Sequence, residues 1–508
     1  MRQKTFPNYI ITLIIVAKFV LEYLLVSPIY ELHRDEFLHL DQANHLDWGY
    51  PSVPPVSSWI ALLIKFLGNG VFWVKFFPAL FGAITIWIVW KTVKVLEGTL
   101  LAAILATLSV LFSGLLRINI LFQPNSLDIL CYTLVFYFVI AYIKKEKISL
   151  LYYLGITIGF GMLNKYNLIF LILALSAALL LTPQRKILAN KHLWGALLVA
   201  FLVFLPNLIW QIKHQFPVVW HLNELEKTQL VNVNRSDFIA EQFKFFFGAF
   251  FIWLIGLFVL LFYRPFKNYQ IIGLTYLFTI SLFIYLHAKG YYAIGLYPIL
   301  FAFGSIFIDQ KLATKKWQLA LSFSIISINI LLFILFMDLA FPIKSPQKLA
   351  ANGEKLKELG MLRWEDGKDH QLPQDFADML GWKEMAKKAD ATFELIPIKE
   401  RVNTLVIGDN YGQTGAVNYY SKNIRNAVTY SFDYINWFPK LDKLQHIVLV
   451  GEQPDDTILR HFKSLKKTGE VDNSYAREKG TGIYLLSYPD KAAIQMLKLR
   501  LDKFKAQF

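Results

Sequence analysis

The sequence predicts a multi-pass α-helical membrane protein of about eleven spans, followed by a C-terminal extracytoplasmic α/β domain. Three observations predict it. Hydrophobic residues make up 55% of the 508 positions and aromatics 16%, a balance that a water-soluble core rarely sustains. Apolar runs recur that approach the ~20 residues needed to cross a hydrocarbon layer of about 30 Å. The segments joining them alternate between basic and non-basic, as the two sides of a membrane require.

The first span is expected at about 8–28. It carries Lys18 and Glu22, four apart and so on one helical face, where they neutralise each other against neighbouring helices. The N-terminus lacks a small-residue cleavage site and reads as a retained span, not a removed signal. An acidic loop, 29–58, follows. Next, 57–68 is too short to span and reads as an amphipathic interfacial helix anchored by Trp59. Further spans are expected at about 71–90, 99–116, 126–143, 148–163, 167–182, 193–210, 243–263, 269–287, 291–308 and 318–341. If Arg2 and Lys4 are cytoplasmic, alternate loops should be basic. They are: Lys91 and Lys94; Lys144, Lys145 and Lys147; Arg185, Lys186 and Lys191; Arg264 and Lys267; Lys311, Lys315 and Lys316. That assignment puts the acidic loop, the long polar loop 211–242 and everything after Pro342 outside. The long loop, rich in aromatics and Asn, reads as having little secondary structure, and such loops are often functional.

Residues 1–342 therefore read as a membrane domain and 343–508 as an outer domain. In the latter, 403–409, 446–451 and GIYLLSY are apolar, β-branched strand candidates. A helix-like GQTGAVNYYSK follows the first and a helix-like DDTILRHFKSLKK the second. The last residues, DKAAIQMLKLRLDKF, form an amphipathic basic helix. Gly408, Gly412 and Gly415 do not match the dinucleotide fingerprint, so nucleotide binding is rejected. The bland role for this domain is a structural cap.

The net charge of +15 sits mainly in the membrane half: residues 343–508 hold 26 Lys and Arg against 22 Asp and Glu, and the first 342 hold 26 against 15. Topology explains this excess, and no basic-aromatic nucleic-acid footprint exists. The only cysteine, Cys131, excludes an intrachain disulfide and Cys-pair zinc sites.

Positive charge is disfavoured on the outer side, so basic residues at outer span ends need a reason. They are Arg34, Lys75, Arg117, Lys165 and Lys289, with Lys213 and Arg235 in the long loop. Arg117, Lys165 and Lys289 are distant in the chain yet share one membrane face. Either they snorkel to the interface or they converge on an anionic ligand. Asp128, in QPNSLDIL, could pair with one of them.

The acidic loop holds Asp35, Glu36, Asp41 and Asp47. The Asp35-Glu36 pair reads either as a solvated dipeptide or as chemistry. An external carboxylate before a cluster of cations suits transfer of a sugar from a phosphate-activated donor. The carboxylate takes the acceptor's proton as general base, and the cations stabilise the departing phosphate. No second carboxylic acid is needed, unlike in glycoside hydrolysis. Asp35/His39 and Asp41/His45 are each i,i+4 and would share a helical face. They could hold a divalent metal, but the spacing matches no standard zinc motif. No metal site is assigned and no cofactor is expected to be required.

Asp35-Glu36, Gly49-Tyr50, Pro54-Pro55 and the interfacial Trp59, placed after a first span, resemble membrane glycosyltransferases of the dolichyl-phosphate-mannose–protein mannosyltransferase class, with its bacterial aminoarabinose-transferase branch. Asp128 in QPNSLD, Lys165 in NKYN, the run Lys289-Gly290-Tyr291-Tyr292 to Pro298, and DNYGQTGAVNYY add to the resemblance. Val53, before Pro-Pro, and Lys75 depart from the family pattern, which often has His and Arg there.

The resemblance implies a GT-C fold, an extracytoplasmic active site in a bacterial inner membrane, and a polyprenyl-phosphate sugar as donor. The acceptor would be a lipid A-type lipid, a protein hydroxyl or a glycan. Asp35 is then the expected base, with Glu36 helping to bind or orient. Lys165, Arg117 and Lys289 are expected on the donor phosphate, with Asp128, Tyr291 and Tyr292 beside them. A lipid-linked saccharide transporter and a non-catalytic envelope component are the rival readings. A transporter should show paired broken helices in related halves, and no such symmetry is visible.

Overall fold

Every apolar stretch expected to span folds as a helix, from Asn8–Leu24 to Gln318–Ala340. The structure is a computed structural model, and it describes residues 7–228, 230–313 and 315–506. Arg2 and Lys4, which carry the expected N-terminal orientation, lie outside the described residues. Among the described residues, five helices are long and apolar enough to cross a membrane: Val71–Val95, Pro124–Lys145, Lys191–Lys213, Gly290–Leu312 and Gln318–Ala340. Two bent pairs, Leu168–Leu181 with Pro183–Ala189 and Phe250–Phe262 with Arg264–Tyr285, raise the number to as many as seven. The remaining apolar helices are shorter. Leu100–Leu111, for example, reaches only about 18 Å at ~1.5 Å per residue. It stops early because Ser113 and Gly114 break it: the Ser113 hydroxyl donates to the Val110 carbonyl at 2.6 Å, and the Gly114 amide donates to the Phe245 carbonyl at 2.6 Å.

Two units form. The first takes the residues up to Val26, Phe72–Ile209 and Glu226–Ile343. Its helices meet through small residues. A Cβ on Gly256 would lie 2.0 Å from the Leu300 carbonyl oxygen, and one on Gly304 would lie 2.0 Å from that of Ile252. The Phe250–Phe262 and Tyr297–Leu312 helices therefore pack backbone to backbone, the usual way apolar helices gain contact in lipid. Lys18 and Glu22 are both buried and ion-paired, as their spacing predicts.

The segment 211–242 is not the irregular loop its composition suggests. Pro217–Thr228 and Arg235–Lys244 are helices. Proline at the first helical position explains the former start, since its missing N–H has no partner to lose there. The polar residues of the latter are used internally: the Gln242 side chain donates to the Gly290 carbonyl at 3.2 Å and accepts from the Tyr297 hydroxyl at 2.9 Å.

The second unit gathers Ser27–Val71, Trp210–Leu225 and the chain from Lys344 on. Its sheet comprises β1 (Thr404–Gly408), β2 (His446–Gly451), β3 (Phe462–Glu470) and β4 (Gly482–Pro489) in the order β1-β2-β4-β3. β1 and β2 are parallel, in register Thr404 to His446, and β4 runs antiparallel to both β2 and β3. The helix expected at DDTILRHFKSLKK does not form as such: only Asp456–Leu459 is helical, and from Phe462 the chain is strand β3. Its lysines sit on the sheet edge, where charge discourages pairing with another chain and masks the strand's alternation.

The helix Tyr411–Tyr420 follows β1. The Asn410 side-chain oxygen caps it by accepting from the Gly412 and Gln413 amides at 2.9 and 3.1 Å. Its glycines serve packing. A Cβ on Gly415 would fall 2.6 Å from the Phe37 Cβ, and one on Gly412 would fall 3.2 Å from the Arg34 Cβ. They let the Arg34–Gln42 helix lie close. Gly415→Val is accordingly expected to destabilise this unit by roughly 1–3 kcal/mol. The measurement is the midpoint of thermal unfolding in detergent, and an unchanged midpoint would show the contact to be loose.

Candidate active site

The acidic stretch folds as the short helix Arg34–Gln42, begun by a capping box. The Glu36 carboxylate accepts from the His33 backbone amide at 2.7 Å, and the His33 ring nitrogen accepts from the Asp35 amide at 3.3 Å. Glu36 is fully buried, so its observed part is to fix the helix start that carries Asp35.

Asp35 is partly exposed, and its Oδ1 accepts the Tyr411 hydroxyl hydrogen at 2.7 Å. The Arg34 guanidinium lies 4.5 Å from the centre of the same Tyr411 ring. The Arg34 amide donates to the Asp378 carbonyl at 3.1 Å, and the buried Asp378 carboxylate accepts from Arg477 at 3.2 and 3.3 Å. Burial pushes the Asp35 pKa up, but His33, Arg34 and the Tyr411 hydrogen bond outweigh it and hold the carboxyl below its ordinary value.

Two other carboxylates here behave oppositely. Burial pushes Asp41 up to about 6, against hydrogen bonds from Asn418 (2.7 Å) and Tyr434 (2.6 Å). Burial likewise pushes Asp433 up to about 6, although it accepts from Gln42 at 2.6 Å and from the Ser52 hydroxyl at 2.8 Å. Asp35 is thus the loop carboxylate that the surroundings keep ionised and partly open. Asp41 is absorbed into packing, and Asp47 is exposed.

The supposed Asp41/His45 face does not exist. The helix ends at Gln42, and His45 instead stacks on Trp437 with ring centres 4.2 Å apart. The Gly-Tyr-Pro turn closes on itself. The Tyr50 hydroxyl lies 3.2 Å from the Gln42 carbonyl and 3.0 Å from that of His45, and the Tyr50 amide donates to the Val53 carbonyl at 3.0 Å. The chain then enters the helix Val56–Phe66, where Trp59 meets Trp48 edge-on at 5.7 Å.

In the first unit, a second cluster forms at the turn Lys165–Asn167, between the helices Ser149–Asn164 and Leu168–Leu181. Lys165 caps the C-terminal end of the first of these, a position that favours a cation. Its ammonium donates to the Asn125 side-chain oxygen at 2.7 Å. It also stands 4.3 Å from the Tyr292 ring centre and 5.3 Å from that of Tyr291. Asn167 donates to Asp128 at 2.9 Å and to the Tyr292 carbonyl at 3.2 Å. Asn164 donates to the Pro124 carbonyl at 2.9 Å.

Four of the sequence candidates, Lys165, Asp128, Tyr291 and Tyr292, therefore belong to one hydrogen-bonded and cation–π group. Arg117 sits on the adjacent short helix Leu115–Asn119, whose Asn119 donates to Ser126 at 3.1 Å on the Asp128 helix. Lys289 immediately precedes the Gly290–Leu296 turn that bears both tyrosines. Asn125, Asn167 and Tyr411 lie inside the sequence motifs without a charge near the membrane face to mark them. The only available signal was their adjacency to Asp128, Lys165 and Gly412.

Residues 52–210 match the family described as dolichyl-phosphate-mannose-protein mannosyltransferase. A lipid A galacturonosyltransferase, RgtD, of Rhizobium johnstonii is 26% identical over 216 residues, 41% of this chain. The match spans 45% of that relative's length. The crystal structure of ArnT from Cupriavidus metallidurans bound to undecaprenyl phosphate superposes with a TM-score of 0.61 at 12% identity, covering 94% of this chain and 98% of that one. Its apo form gives 0.60 at 11% identity over the same shares. At these identities the two structures speak for the fold: a multi-pass helical membrane protein of the GT-C type. Together with the family match they bear out the resemblance read from the first loop.

Proposed function

We propose that this ArnT-like chain is an inverting glycosyltransferase that moves one sugar from a polyprenyl-phosphate donor to a hydroxyl or phosphate of a lipid acceptor of the lipid A type. The reaction is placed on the outer face of a bacterial inner membrane, with the N-terminus cytoplasmic and both the first loop and the C-terminal domain outside. The single observation that carries the reading is the state of Asp35, a partly exposed carboxylate held below its ordinary pKa while burial pushes Asp41 and Asp433 the other way.

In this reading Asp35 takes the acceptor proton as the acceptor oxygen bonds to the anomeric carbon. The bond from that carbon to the phosphate oxygen breaks, and its electron pair stays on the polyprenyl phosphate. Lys165, oriented by Asn125 and by the faces of Tyr291 and Tyr292, meets the phosphate charge. Arg117 and then Lys289 are the next candidates for that phosphate. Asp128, through Asn167, holds the tyrosine-bearing segment in place. One displacement from the far face inverts the anomeric centre. Lys165 is assigned the leaving phosphate's charge, and the reading includes no cofactor or divalent metal.

The test is reconstitution of the full chain in liposomes containing lipid A, with undecaprenyl-phosphate-linked uronic acid, hexose and aminopentose supplied in turn. Mass spectrometry is expected to show lipid A gaining one sugar mass, insensitive to EDTA. Movement of an intact donor across the bilayer without transfer would establish the transporter reading instead.

A further inference from the structure

A cavity of about 380 Å³ opens in the C-terminal domain where β3 begins and β4 ends, beside the paired residues Phe462 and Pro489. Small-molecule pockets run from about 300 to 1,000 Å³, so this one has room for a sugar and not only for a bare ion. Its walls carry three basic side chains, Arg460, His461 and Lys463, and one acid, Asp490. The acid is already engaged. Its Oδ1 accepts from the Ala493 amide at 2.8 Å, capping the helix Lys491–Lys505, and its Oδ2 lies 2.8 Å from His461 Nδ1.

Two of the cations are not engaged in this way. Arg460 donates through Nε to the Thr457 carbonyl at 3.2 Å, and among the described residues neither Arg460 nor Lys463 pairs with a carboxylate. Lys467, farther along the same strand, is by contrast ion-paired with Glu470. Beside the cations stands Tyr488, 41% exposed, with the Lys463 ammonium 5.5 Å from its ring centre. Its φ of +55° lies in the left-handed region, which a bulky side chain rarely occupies. The conformation is held by the Tyr488 amide, which donates to the Gln445 carbonyl at 2.6 Å, and by its hydroxyl, which donates to Glu400 at 3.1 Å. Strain of this kind gathers where ligands are held. Charge that merely guards a sheet edge needs neither a cavity nor a strained tyrosine.

We propose that this cavity binds an acidic saccharide, a sugar bearing a phosphate or a carboxylate. Arg460 and Lys463 meet the anionic group, and the fixed ring of Tyr488 offers a flat face to the C–H groups of the sugar. The guanidinium fork of Arg460 matches either oxyanion with two parallel hydrogen bonds. The site depends neither on Asp35 nor on the transferase reading, and it gives the C-terminal domain a ligand of its own, beyond any role as a cap.

Saturation-transfer NMR on the full chain in detergent reads binding without turnover, with glucose 6-phosphate, glucuronate and glucose offered separately. The two acidic sugars are expected to bind, and the tighter of them identifies the preferred oxyanion; glucose should not bind. Inorganic phosphate should compete only at about tenfold higher concentration than glucose 6-phosphate, since it has no ring to lay on Tyr488. Arg460→Gln combined with Lys463→Gln should weaken both acidic sugars by about tenfold or more, with the unfolding midpoint unchanged because both side chains are exposed. Salt at ~1 M should weaken them in the wild type as well, which tests the charge without any substitution. Tyr488→Asn, a residue that tolerates this φ, should erase the advantage of the sugar phosphate over phosphate. Lys165→Met should bind like the wild type. Failure of both acidic sugars to bind, wild-type binding by the double variant, glucose binding as tightly as the acidic sugars, or phosphate competing as well as glucose 6-phosphate would each overturn the proposal. So would loss of binding in Lys165→Met, which would place the sugar at Lys165 instead.

Discussion

Asp35→Asn is expected to reduce sugar transfer by about 10²–10⁴-fold while the protein folds and unfolds as before. The substitution keeps shape and volume. An asparagine Oδ1 still accepts from the Tyr411 hydroxyl, so the 2.7 Å contact and the packing of Gly412 and Gly415 against the helix survive. What is lost is the capacity to take a proton at neutral pH. In the wild type the carboxyl is held below its ordinary value, so activity should persist as pH falls through the range where ordinary carboxylates protonate and decline only as Asp35 itself protonates. The chemistry is thus insensitive to mild acid, where Asp41 and Asp433, both near 6, change state. Initial rates of lipid A modification in liposomes, alongside a melting curve, are the measurement. Normal turnover by the asparagine variant would remove Asp35 from the mechanism.

Lys165→Met is expected to lower kcat by about 10²–10³-fold, the cost typical of deleting one preorganised group that meets developing charge. Methionine keeps most of the aliphatic stem against Tyr291 and Tyr292 but loses the ammonium and its 2.7 Å bond to Asn125. Lys165→Arg should recover part of the loss. It keeps the charge and can still lie against the ring faces, but its planar fork replaces the single ammonium that donates to Asn125. If both variants turn over like the wild type and bind donor equally well, the phosphate site lies elsewhere, and Arg117 or Lys289 should be varied next. Sensitivity of Lys165→Met and insensitivity of Lys165→Arg to donor concentration would mark a charge effect rather than a shape effect.

The candidate site was legible only in part, and the limit is physical. Lys165 and Asp128 stood out because charge near a membrane face is costly and has to be satisfied. Asn125 and Asn167 did not. An uncharged amide carries no such penalty, and its partner is chosen by where helices end, not by spacing along the chain. Asp35 stood out for its charge, but the capping box of His33 and Glu36 that starts its helix shows only in the fold. The strand β3 was misread because an edge strand rich in lysine lacks apolar alternation, and its short helix Asp456–Leu459 extends the illusion. The helices in 211–242 were missed because their polar residues, Gln242 among them, are satisfied by partners that only folding supplies.

The amino-acid sequence by itself determined that this chain is a helical membrane protein with a separate region of strands after Pro342. Hydrophobic runs and loop charges are local quantities, and bilayer thickness converts them directly into helices. It also determined which carboxylates and cations had to be explained. Only the tertiary structure decided that Glu36 is spent on a capping box, that Asp41 is buried under Tyr434 and Asn418, and that Lys165 lies against Asn125, Tyr291 and Tyr292. It alone showed that Asp35 is gripped by a tyrosine from the far end of the chain. Those outcomes depend on which surfaces pack together, and a contact between residues hundreds of positions apart leaves no periodicity for a single sequence to display.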